Sequence, residues 1–421
     1  MNVLWISSSA IGPASRILDL PYGGSSGSWI QTEYEAIKKD SNVKMYFLTP
    51  VSIVSNGTVI ENTTTEGTAY GIGFNPKISF GKRLPKEISA IIETLIHKIG
   101  PDIIHIWGSE SSFSATSAIL CPEIPKVIYI QGLIGMHRRY MGDGYIREKE
   151  YFGRNNLFDS LKVKLKLRYY DNHIILEQQA IKSAGNIISD NNFTKAYCNS
   201  FSSPTFHNHF LYPNDIYYRS AWNYDNIERN SIFTIFSSNP SKGLSQLLKA
   251  LAIVRKQIPD IKLYVPGPFT ITPEGQLDSK RCKGFEKWLS NYINSNNLLN
   301  NVIFTGRLDA EGMCEQYLKC NVFVSPSCME VHSSSVREAM AVGAPTISSL
   351  CGSVIEYIQH GKNGLIYRFE EEEVLASYIL KIIEDKEFAM TIGQNARLKM
   401  AKNNLQTHLS EIYKTILSGK N

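Results

Sequence analysis

One stretch of the sequence reads Ser325-Pro-Ser-Cys-Met-Glu330-Val-His-Ser-Ser-Ser-Val-Arg-Glu338-Ala-Met-Ala-Val-Gly343-Ala-Pro345-Thr346. The apolar residues that end at Ser325 predict a strand, and the pattern from Ser335 onward predicts a helix. A polar loop joins them. Strand, loop and helix in this order are typical of open α/β sheets, in which ligands bind outside the carboxyl ends of the strands.

The same alternation extends outward from this stretch over most of the chain. Strands are predicted at Val3–Ser7, Val43–Leu48, Ile103–Ile106, Val127–Gln131, Asn186–Ser189, Phe233–Phe236, Leu263–Pro266, Val302–Thr305, Val322–Ser325 and Thr346–Ser349. Helices are predicted at Ser28–Lys39, Pro85–Ile99, Ile174–Ser183, Ser245–Gln257, Gly284–Asn296 and Ser335–Val342. The predicted fold class is α/β, with one doubly wound, Rossmann-like domain in each half of the chain.

The length of 421 residues is too great for one ordinary core and fits two domains. We predict an N-terminal domain over residues 1–212 and a C-terminal domain over residues 213–400. A last helix within residues 401–421 is expected to pack back toward the N-terminal domain. The segment from Tyr212 to Asn230, which begins Tyr-Pro-Asn and continues with polar residues, is interpreted as the linker.

The composition indicates a folded protein of the cytoplasm. Apolar residues make up 43% of the chain and charged residues 20%, which excludes a disordered class. The seven cysteines contain no Cys-x-x-Cys pair, which argues against a disulfide framework or a zinc site. We expect no signal peptide ahead of the first strand and no membrane-spanning helix, because no segment reaches about 18 consecutive apolar residues.

The charge is concentrated in one segment. Nine basic and four acidic residues lie between Arg138 and Tyr170, and this difference equals the net charge of +5 of the whole chain. No basic cluster interleaved with aromatic residues indicates nucleic-acid binding. One hypothesis is that residues 138–170 meet an anionic membrane surface, which would make the protein peripheral at the inner face of the cell membrane. A solvated charged face is the alternative.

The quoted stretch combines an anion site with two carboxylates. The free N–H groups at the start of the predicted helix would face an anion such as a nucleotide diphosphate. Glu330 and Glu338 would repel phosphate, so they are better interpreted as acceptors for sugar hydroxyl groups. The alternative for Glu338 is a capping box, Ser335-x-x-Glu338, in which the carboxylate reaches back to the helix start.

This stretch resembles the Glu-x7-Glu motif of retaining family-4 glycosyltransferases (glycosyl transferases group 1), including the Glu-Ala-Met-Ala-x-Gly-x-Pro that follows. The resemblance implies a GT-B fold, with two Rossmann-like domains facing across a cleft. It implies that Glu330 contacts the donor sugar and Glu338 the ribose. The loop amides around His332, Ser333, Ser334 and Ser335 would hold the distal phosphate and the sugar. The usual Gly-Phe-Gly of the family is replaced here by Val331-His332-Ser333.

Two further loops of the C-terminal half resemble donor-binding elements of the family. Asn239-Pro240-Ser241-Lys242-Gly243 resembles the element whose lysine pairs with the donor pyrophosphate, and a capping turn with a solvated lysine is the alternative. Relatives have an arginine just before this element, where this chain has Phe236, Ser237 and Ser238; Ser238 is predicted to bind the donor. Arg307 follows a strand and is a predicted contact to base and ribose, or else a surface arginine in a turn.

In the N-terminal half, the glycine-rich loop with Gly23, Gly24 and Ser25 resembles the loop that closes over the donor phosphates. His105 lies in a strand that resembles the buried Asp-x-x-His strand of the family, and a structural role is the favoured interpretation. Gln131 lies where relatives have a histidine beside the acceptor and the sugar. Together with Glu330 and Lys242 it is predicted to be catalytic.

The resemblance implies transfer with retention of anomeric configuration. A double displacement would need a carboxylate nucleophile below the anomeric carbon, and the motif offers no candidate. Same-face substitution is implied instead, with the departing phosphate oxygen helping to deprotonate the acceptor. We find no Asp-x-Asp motif, so no metal and no other cofactor is expected. The predicted function is transfer of a hexose-type sugar from a nucleotide diphosphate to a glycan or lipid-linked acceptor, in cell-surface polysaccharide or glycolipid biosynthesis.

Other functions are alternatives to sugar transfer. A dehydrogenase would share the fold class, but the first strand is followed by Ser-Ser-Ala-Ile-Gly-Pro rather than Gly-x-Gly-x-x-Gly. A nucleotide-sugar epimerase or a phosphorylase on the same fold stays open. A non-catalytic GT-B protein that binds a glycan or a sister subunit also stays open, although both glutamates are present.

Overall fold

The computed structural model describes residues 1–10, 12–20, 28–75, 79–141, 157–235, 239–401 and 408–419. The chain forms two compact units. The first comprises Met1–Arg138, Arg168–Leu211 and Asn403–Asn421, and the second comprises Arg139–Leu167 and Tyr212–Lys402.

The first unit contains a sheet of eight strands in its described part, in the order β3-β4-β2-β1-β5-β6-β7-β8. The strands are β1 Asn2–Ser7, β2 Lys44–Val51, β3 Val59–Thr64, β4 Gly67–Gly73, β5 Ile103–Trp107, β6 Lys126–Tyr129, β7 Asn186–Ile188 and β8 Thr205–His207. All neighbours pair in parallel except β3, which pairs with β4 in antiparallel orientation. Parallel strands covered on both faces read as continuous apolar runs, as β1 and β5 do.

Helices connect these strands. They are α1 Pro13–Ile17, α2 Ser28–Ile37, α3 Lys86–Ile99, α4 Ser112–Ser117, α5 Ile134–Arg139, α6 Leu157–Ala184 and α7 Asn192–Asn199. The helix α3 shows why the sequence pattern predicts such elements well. Ile88, Ile92, Leu95, Ile96 and Ile99 recur at helical spacing and are buried, and the helix ends at Gly100, whose φ of 55° suits a residue without a Cβ.

The second unit contains a sheet of six strands in its described part, in the order β11-β10-β9-β12-β13-β14, and all neighbours pair in parallel. The strands are β9 Ser231–Thr234, β10 Lys262–Pro266, β11 Val302–Gly306, β12 Val322–Ser325, β13 Thr346–Ser349 and β14 Leu365–Tyr367. The helices are α8 Ile216–Arg219, α9 Leu244–Val254, α10 Gly284–Ser295, α11 Ala310–Lys319, α12 Ser334–Val342, α13 Glu372–Glu384 and α14 Lys386–Met400.

Both sheets change winding direction in the middle. In the second unit the chain proceeds outward from β9 through β10 to β11, and then returns to place β12 on the other side of β9. The loops that follow β9 and β12 therefore leave the sheet side by side in opposite directions, which opens a crevice at the carboxyl ends of these strands. In the first unit the corresponding crevice lies between β1 and β5. The predicted α/β class with two parallel-sheet domains is confirmed.

Several elements differ from the sequence prediction. The hairpin of β3 and β4 and the short strands β8 and β14 were not predicted. The basic segment from Leu161 to Arg168, for which no strand or helix was predicted, belongs to the helix α6. The segment interpreted as a linker contains α8 and a 3-10 turn at Tyr224–Asn226, with Tyr217 and Trp222 buried, so it is a packed part of the second unit.

A final helix, α15 Leu409–Ser418, packs within the first unit. Tyr413 is fully buried and its hydroxyl accepts a hydrogen bond from Trp5 Nε1 at 3.0 Å. The same hydroxyl lies 2.5 Å from His105 Nδ1, to which it can donate only if this nitrogen carries no proton. Burial holds the pKa of His105 well below its ordinary range, so the ring is neutral. The surroundings of His105 are therefore those of a buried structural residue.

Tyr413→Phe is expected to lower the free energy of unfolding of the first unit by about 1 to 3 kcal/mol, because it leaves the buried nitrogens of Trp5 and His105 without this partner. Urea unfolding followed by tryptophan fluorescence measures the change. Tyr46→Phe is the matched control, because its hydroxyl forms no hydrogen bond to the described residues and its loss should change little. Equal stability of Tyr413→Phe and wild type would contradict a stabilising role of the network.

Candidate functional site

The crevice of the second sheet brings Lys242 and Glu330 together. Lys242 ends the turn after β9, and Glu330 lies in the loop after β12. Lys242 Nζ lies 2.6 Å from Glu330 Oε1, and Ser327 Oγ donates to the same oxygen at 2.7 Å. The side chain of Lys242 is 33% exposed and that of Glu330 12% exposed. The pair is therefore sheltered, but a ligand in the crevice can reach the ammonium group.

Two glycines allow the backbone of these loops to pack closely. Gly243 has a φ of 72°, and a Cβ there would overlap the carbonyl oxygen of Pro326. Gly352 has a φ of 49°, and a Cβ there would overlap the carbonyl oxygen of Glu330. Only glycine combines positive φ with such approaches at low cost. The packing of three loops against one another thus fixes where Lys242 and Glu330 stand.

Hydrogen bonds fasten the same loops. The N–H of Cys328 donates to the carbonyl oxygen of Ser241 at 2.9 Å. The hydroxyls of Ser349 and Ser353 donate to the carbonyl oxygens of Ser327 and Val331. Both serines are fully buried, so the loop that carries Glu330 is held from two sides. A loop fixed in this way presents its carboxylate without further reorganisation.

The charge of Lys242 is stabilised by its partner. Burial alone would lower the pKa of Lys242, but the Glu330 carboxylate, through its field and its hydrogen bond, raises this pKa above its ordinary value. The ammonium group is therefore fully charged at neutral pH. A diphosphate that enters the crevice would compete with Glu330 for it.

The N-terminus of helix α12 is a second feature that attracts anions. It begins at Ser334, and Ser333 occupies the N-cap without a side-chain capping hydrogen bond. Ser333 N–H donates to Tyr357 Oη at 3.3 Å and Ser334 N–H to the carbonyl oxygen of His332 at 3.1 Å. In the part of the chain that the structure describes, the N–H groups of Ser335 and Val336 have no acceptor. They are available to an anion at the positive end of the helix dipole.

Glu338 does not cap this helix. It lies five residues beyond the N-cap, and its Oε2 accepts a hydrogen bond from Tyr317 Oη at 3.0 Å. The capping-box interpretation is therefore wrong. Burial raises the pKa of Glu338 to about 7, although hydrogen bonds from Tyr317 and Tyr217 oppose the shift. Near neutral pH this carboxyl group can serve as donor or acceptor to a hydroxyl group.

His332, which stands where the family has a phenylalanine, contacts Arg337. His332 Nδ1 lies 3.4 Å from Arg337 Nη2. Arg337 is buried, and its guanidinium carbon lies 5.1 Å from the ring centroid of Tyr357. The sequence did not point to Tyr217, Tyr317 or Tyr357, because no local pattern around them indicates a site. Arg337 lies inside the quoted stretch and was also not singled out.

The other predicted site residues follow other strands or lie outside the described residues. Arg307 follows β11 and is exposed. The strand β10 lies between β11 and β9, so β11 is roughly 10 Å from β9 at the usual strand spacing. Gln131 follows β6 in the first unit, and its Nε2 is enclosed without a hydrogen-bond partner among the described residues. Gly23, Gly24, Ser25 and Ser238 lie outside the described residues, as do Phe236 and Ser237.

A possible set of metal ligands lies in the first unit. Within the described ranges, His97, Cys121 and Glu123 are the one group of three whose ligand atoms all lie within 4.8 Å of one another. They lie at the end of α3 and in the loop before β6, so they are at the opposite edge from the carboxyl ends of the strands. Metal-free chemistry at Lys242 and Glu330 stays a prediction.

Residues 225–399, which include Lys242, Glu330 and Glu338, match the family model described as Glycosyl transferases group 1. The chain carries a glycosyltransferase group 1 domain. A curated relative, the uncharacterized glycosyltransferase YqgM of Bacillus subtilis, is 30% identical over 176 residues, which cover 42% of this chain and 45% of the relative. The chain thus matches less than half of the length of this and other curated relatives.

Solved structures of similar fold cover the whole chain. Sucrose-phosphate synthase from Thermosynechococcus elongatus superimposes with a TM-score of 0.74 at 18% identity and covers 100% of both chains. HepE of Anabaena, solved in complex with UDP-glucose, superimposes with a TM-score of 0.64 at 14% identity and covers 100% of this chain and 99% of its own. At these identities the likeness shows the fold alone, which is GT-B.

Glu338→Gln is expected to gain stability relative to wild type as the pH rises from 5 to 8. The pKa of Glu338 in the folded protein is raised above its ordinary value of 4.5, so folding favours the protonated form. The stability that this proton supplies is complete below pH 4.5 and is lost as the pH rises through about 7. Glutamine has no such proton to lose. Urea unfolding at both pH values measures the difference.

Glu384→Gln, at the exposed end of α13, is the control and should follow wild type at both pH values. If the difference in stability between Glu338→Gln and wild type is the same at pH 5 and pH 8, Glu338 titrates with an ordinary pKa and the environment assigned to it is wrong.

Proposed function

We propose that the protein is a retaining glycosyltransferase that transfers a hexose-type sugar from a nucleotide diphosphate to a glycan or lipid-linked acceptor. The observation that carries the proposal is the Lys242–Glu330 pair at the switch point of the second sheet, beside the open N-terminus of α12. A cation, free N–H groups and sugar-binding carboxyl groups on adjacent loops suit a sugar diphosphate. The match to the glycosyltransferase family model supports it.

In the proposed complex, the diphosphate binds to Lys242 and to the N–H groups of Ser335 and Val336. Glu330 then gives up its ion pair and accepts hydrogen bonds from hydroxyl groups of the donor sugar. Glu338, which is half-buried and already accepts a hydrogen bond from the fully buried Tyr317, binds the ribose diol. The backbone around His332, Ser333 and Ser334 lies next to the sugar phosphate. The loop of Gly23, Gly24 and Ser25, together with Ser238 and Arg307, completes donor binding in this proposal.

The proposed chemistry proceeds on one face of the sugar. The bond between the anomeric carbon and the phosphate oxygen breaks while the acceptor oxygen bonds to the same face, and the acceptor's proton passes to the departing phosphate oxygen. Glu330 is a poor candidate for a nucleophile, since in the proposed complex its carboxylate accepts hydrogen bonds from hydroxyl groups of the donor sugar and from Ser327. The protein contributes by orienting the reactants and by stabilising the charge of the leaving diphosphate.

We propose further that no divalent metal takes part, because Lys242 and the N-terminus of α12 can neutralise the diphosphate. The donor sugar and the base are to be found by thermal-shift screening of UDP-, GDP- and ADP-sugars, since a ligand of the folded state raises the melting temperature. A free monosaccharide product would favour an epimerase, and phosphate-dependent breakdown of a glycan would favour a phosphorylase. Binding without turnover would favour a non-catalytic protein.

The helix α6 carries a surface that suits contact with a membrane, where a lipid-linked acceptor would be found. Leu161, Lys164, Leu165 and Arg168 recur at helical spacing and are exposed, Leu161 by 54% and Leu165 by 46%. Two leucines flanked by cations on one helix face suit the interface of an anionic membrane. None of the described helices combines the length and the apolar character that a membrane crossing needs. We propose peripheral attachment at the cytoplasmic face, in cell-surface polysaccharide or glycolipid biosynthesis.

Replacing Glu338 by glutamine is expected to affect nucleotide binding, and replacing Glu330 by glutamine is expected to affect the rate of transfer. Glu338→Gln should weaken binding of the nucleoside diphosphate by about 1 to 2 kcal/mol, the scale of a lost hydrogen bond to a charged group. Glu330→Gln should spare this affinity, because Lys242 is then free for the diphosphate. It should lower single-turnover transfer about 10- to 100-fold, because contacts to the reacting sugar strengthen in the transition state.

Calorimetric titration and single-turnover kinetics in the presence of EDTA measure both effects, with Glu384→Gln as the control. If Glu338→Gln binds the nucleotide as tightly as wild type does, Glu338 does not bind the ribose. A wild-type rate in Glu330→Gln would mean that the donor sugar lies elsewhere. Wild-type activity that is lost in EDTA and restored by magnesium or manganese would show that the proposal of metal-free transfer is wrong.

Flotation with liposomes tests the membrane surface. Wild type should bind vesicles that contain anionic lipid and should not bind neutral ones. Replacing Leu161 and Leu165 by glutamine should weaken this binding, because the apolar part of the contact is lost. Leu398→Gln, which changes a leucine on α14 that is 67% exposed, is the control and should bind as wild type. Equal binding of wild type to neutral and anionic vesicles would exclude the proposed surface.

A further inference from the structure

The first unit carries a cluster of metal-binding side chains at the amino edge of its sheet. His97 lies in the last turn of α3, and Cys121 and Glu123 lie in the loop before β6. One ligand atom of each lies within 4.8 Å of the other two. Because α3 leads into β5 and the loop leads into the parallel strand β6, the cluster lies opposite the carboxyl ends of these strands. The proposed donor site does not use it.

The spacing of these atoms suits a zinc ion. Cys121 Sγ lies 3.9 Å from His97 Nε2. In a tetrahedral site, bonds of about 2.3 Å to sulfur and about 2.0 Å to nitrogen place two such atoms about 3.6 Å apart. A small rotation of the side chain of His97, which is exposed, closes this difference. Thiolate, imidazole and carboxylate groups together are a ligand set that suits Zn²⁺.

Glu93 offers a fourth ligand from the same helix. It precedes His97 by four residues, so the two side chains lie on one face of α3. Burial raises the pKa of the Cys121 thiol, and the carboxylates of Glu123 and Glu93 raise it further. Both carboxylates are therefore close to the sulfur. One pair of ligands from the helix and one pair from the loop complete a four-coordinate set.

The backbone of the loop holds the sulfur in place. Cys121 has a φ of 48°, which residues with a side chain rarely adopt. Its carbonyl oxygen accepts hydrogen bonds from Ile124 N–H at 3.1 Å and from Lys126 Nζ, which also donates to the carbonyl oxygen of Ile124 at 3.0 Å. Residues held in such a conformation by their surroundings occur mostly at functional positions.

A buried ammonium group balances the charge of the ligands. A Zn²⁺ ion bound by one thiolate, two carboxylates and a neutral imidazole forms a centre with one negative charge. Lys126 is 2% exposed and supplies one positive charge beside it. Burial lowers the pKa of Lys126, and Cys121 and Glu123 oppose this shift, so the ammonium group is close to both ligands. It stabilises their charged forms, which are the forms that bind metal.

We propose that four side chains bind one Zn²⁺ ion as a structural site: Glu93, His97, Cys121 and Glu123. On binding, the thiol of Cys121 releases its proton to the solvent, and sulfur, Nε2 of the histidine and one oxygen of each carboxylate bond to the ion. The ion joins the end of α3 to the loop before β6. No Cys-x-x-Cys pair indicates the site in the sequence, because its ligands come from two segments. The inference is independent of the proposed function.

Calorimetric titration of zinc chloride into the full chain, after removal of metal with EDTA and gel filtration, tests the site. Wild type should bind one ion per chain, and its melting temperature should rise with zinc concentration. His97→Gln and Cys121→Ser should each weaken binding about 100-fold or more, because a ligand matters at least as much as the groups that orient it. Glu93→Gln and Glu123→Gln should each weaken it about tenfold or more. His408→Gln, at an exposed histidine of the same unit, is the control.

Substitution of cobalt(II) for zinc shows whether the sulfur is a ligand. The cobalt protein should absorb in the near ultraviolet by charge transfer from thiolate to metal, and Cys121→Ser should lose this absorption. Cys282→Ser, which removes a buried cysteine of the second unit, should keep it. A wild-type spectrum without the charge-transfer absorption would overturn the site and leave only a contact between Cys121 and His97.

The titration can also overturn the proposal. Because His97 is exposed, His97→Gln should fold as wild type does, so its affinity for zinc is a direct measure of the site. Wild type that binds no zinc, or His97→Gln that binds it as tightly as wild type, would show that there is no such site. Wild-type affinity in Glu93→Gln would exclude Glu93 as the fourth ligand.

Discussion

The arrangement of the candidate donor site depends on backbone contacts that two glycines permit. Gly243 and Gly352 let the loops after β9 and β13 touch the loop after β12, at the carbonyl groups of Pro326 and Glu330. Any larger residue would push these loops apart. Because the contacts involve backbone, they set the separation of Lys242 and Glu330 independently of side-chain rotamers. The ion pair of Lys242 and Glu330 depends on this packing, and the loop after β12 leads on to α12, which carries Glu338.

Carboxyl groups in two different environments give the candidate donor site its chemical capacity. Glu330 has a cationic partner, whereas Glu338 is half-buried without one, and burial raises the pKa of Glu338. A carboxyl group of this kind lowers stability at alkaline pH, because the charged form is poorly solvated. Such a cost is typical of binding sites, where groups are held ready for a ligand rather than for one another. The buried network of Trp5, His105 and Tyr413 shows the opposite case, in which polar groups satisfy one another.

Much of the fold could be predicted from the sequence, because central parallel strands are apolar throughout and end at clear turns. The strands Val322–Ser325 and Thr346–Ser349 were predicted at their observed bounds. The hairpin of β3 and β4 was missed because its first strand is polar and its second is rich in glycine, so neither shows the expected pattern. No helix was predicted over residues 161–168, because one flank of α6 there is exposed and carries both leucines and cations. Glu330, Glu338 and Lys242 could be singled out from local motifs. Tyr317 could not, because its significance comes from the packing of segments that are distant in sequence.

The central claim is that the Lys242–Glu330 pair is a diphosphate site in which the ligand replaces Glu330 as the partner of the lysine. The most direct measurement is calorimetric titration of the nucleoside diphosphate, in EDTA, into wild type and Lys242→Met. Methionine keeps most of the side-chain volume and removes the charge. The account predicts that Lys242→Met binds about 10- to 100-fold more weakly, the equivalent of one charge-assisted hydrogen bond. Equal affinities of the two proteins would contradict it.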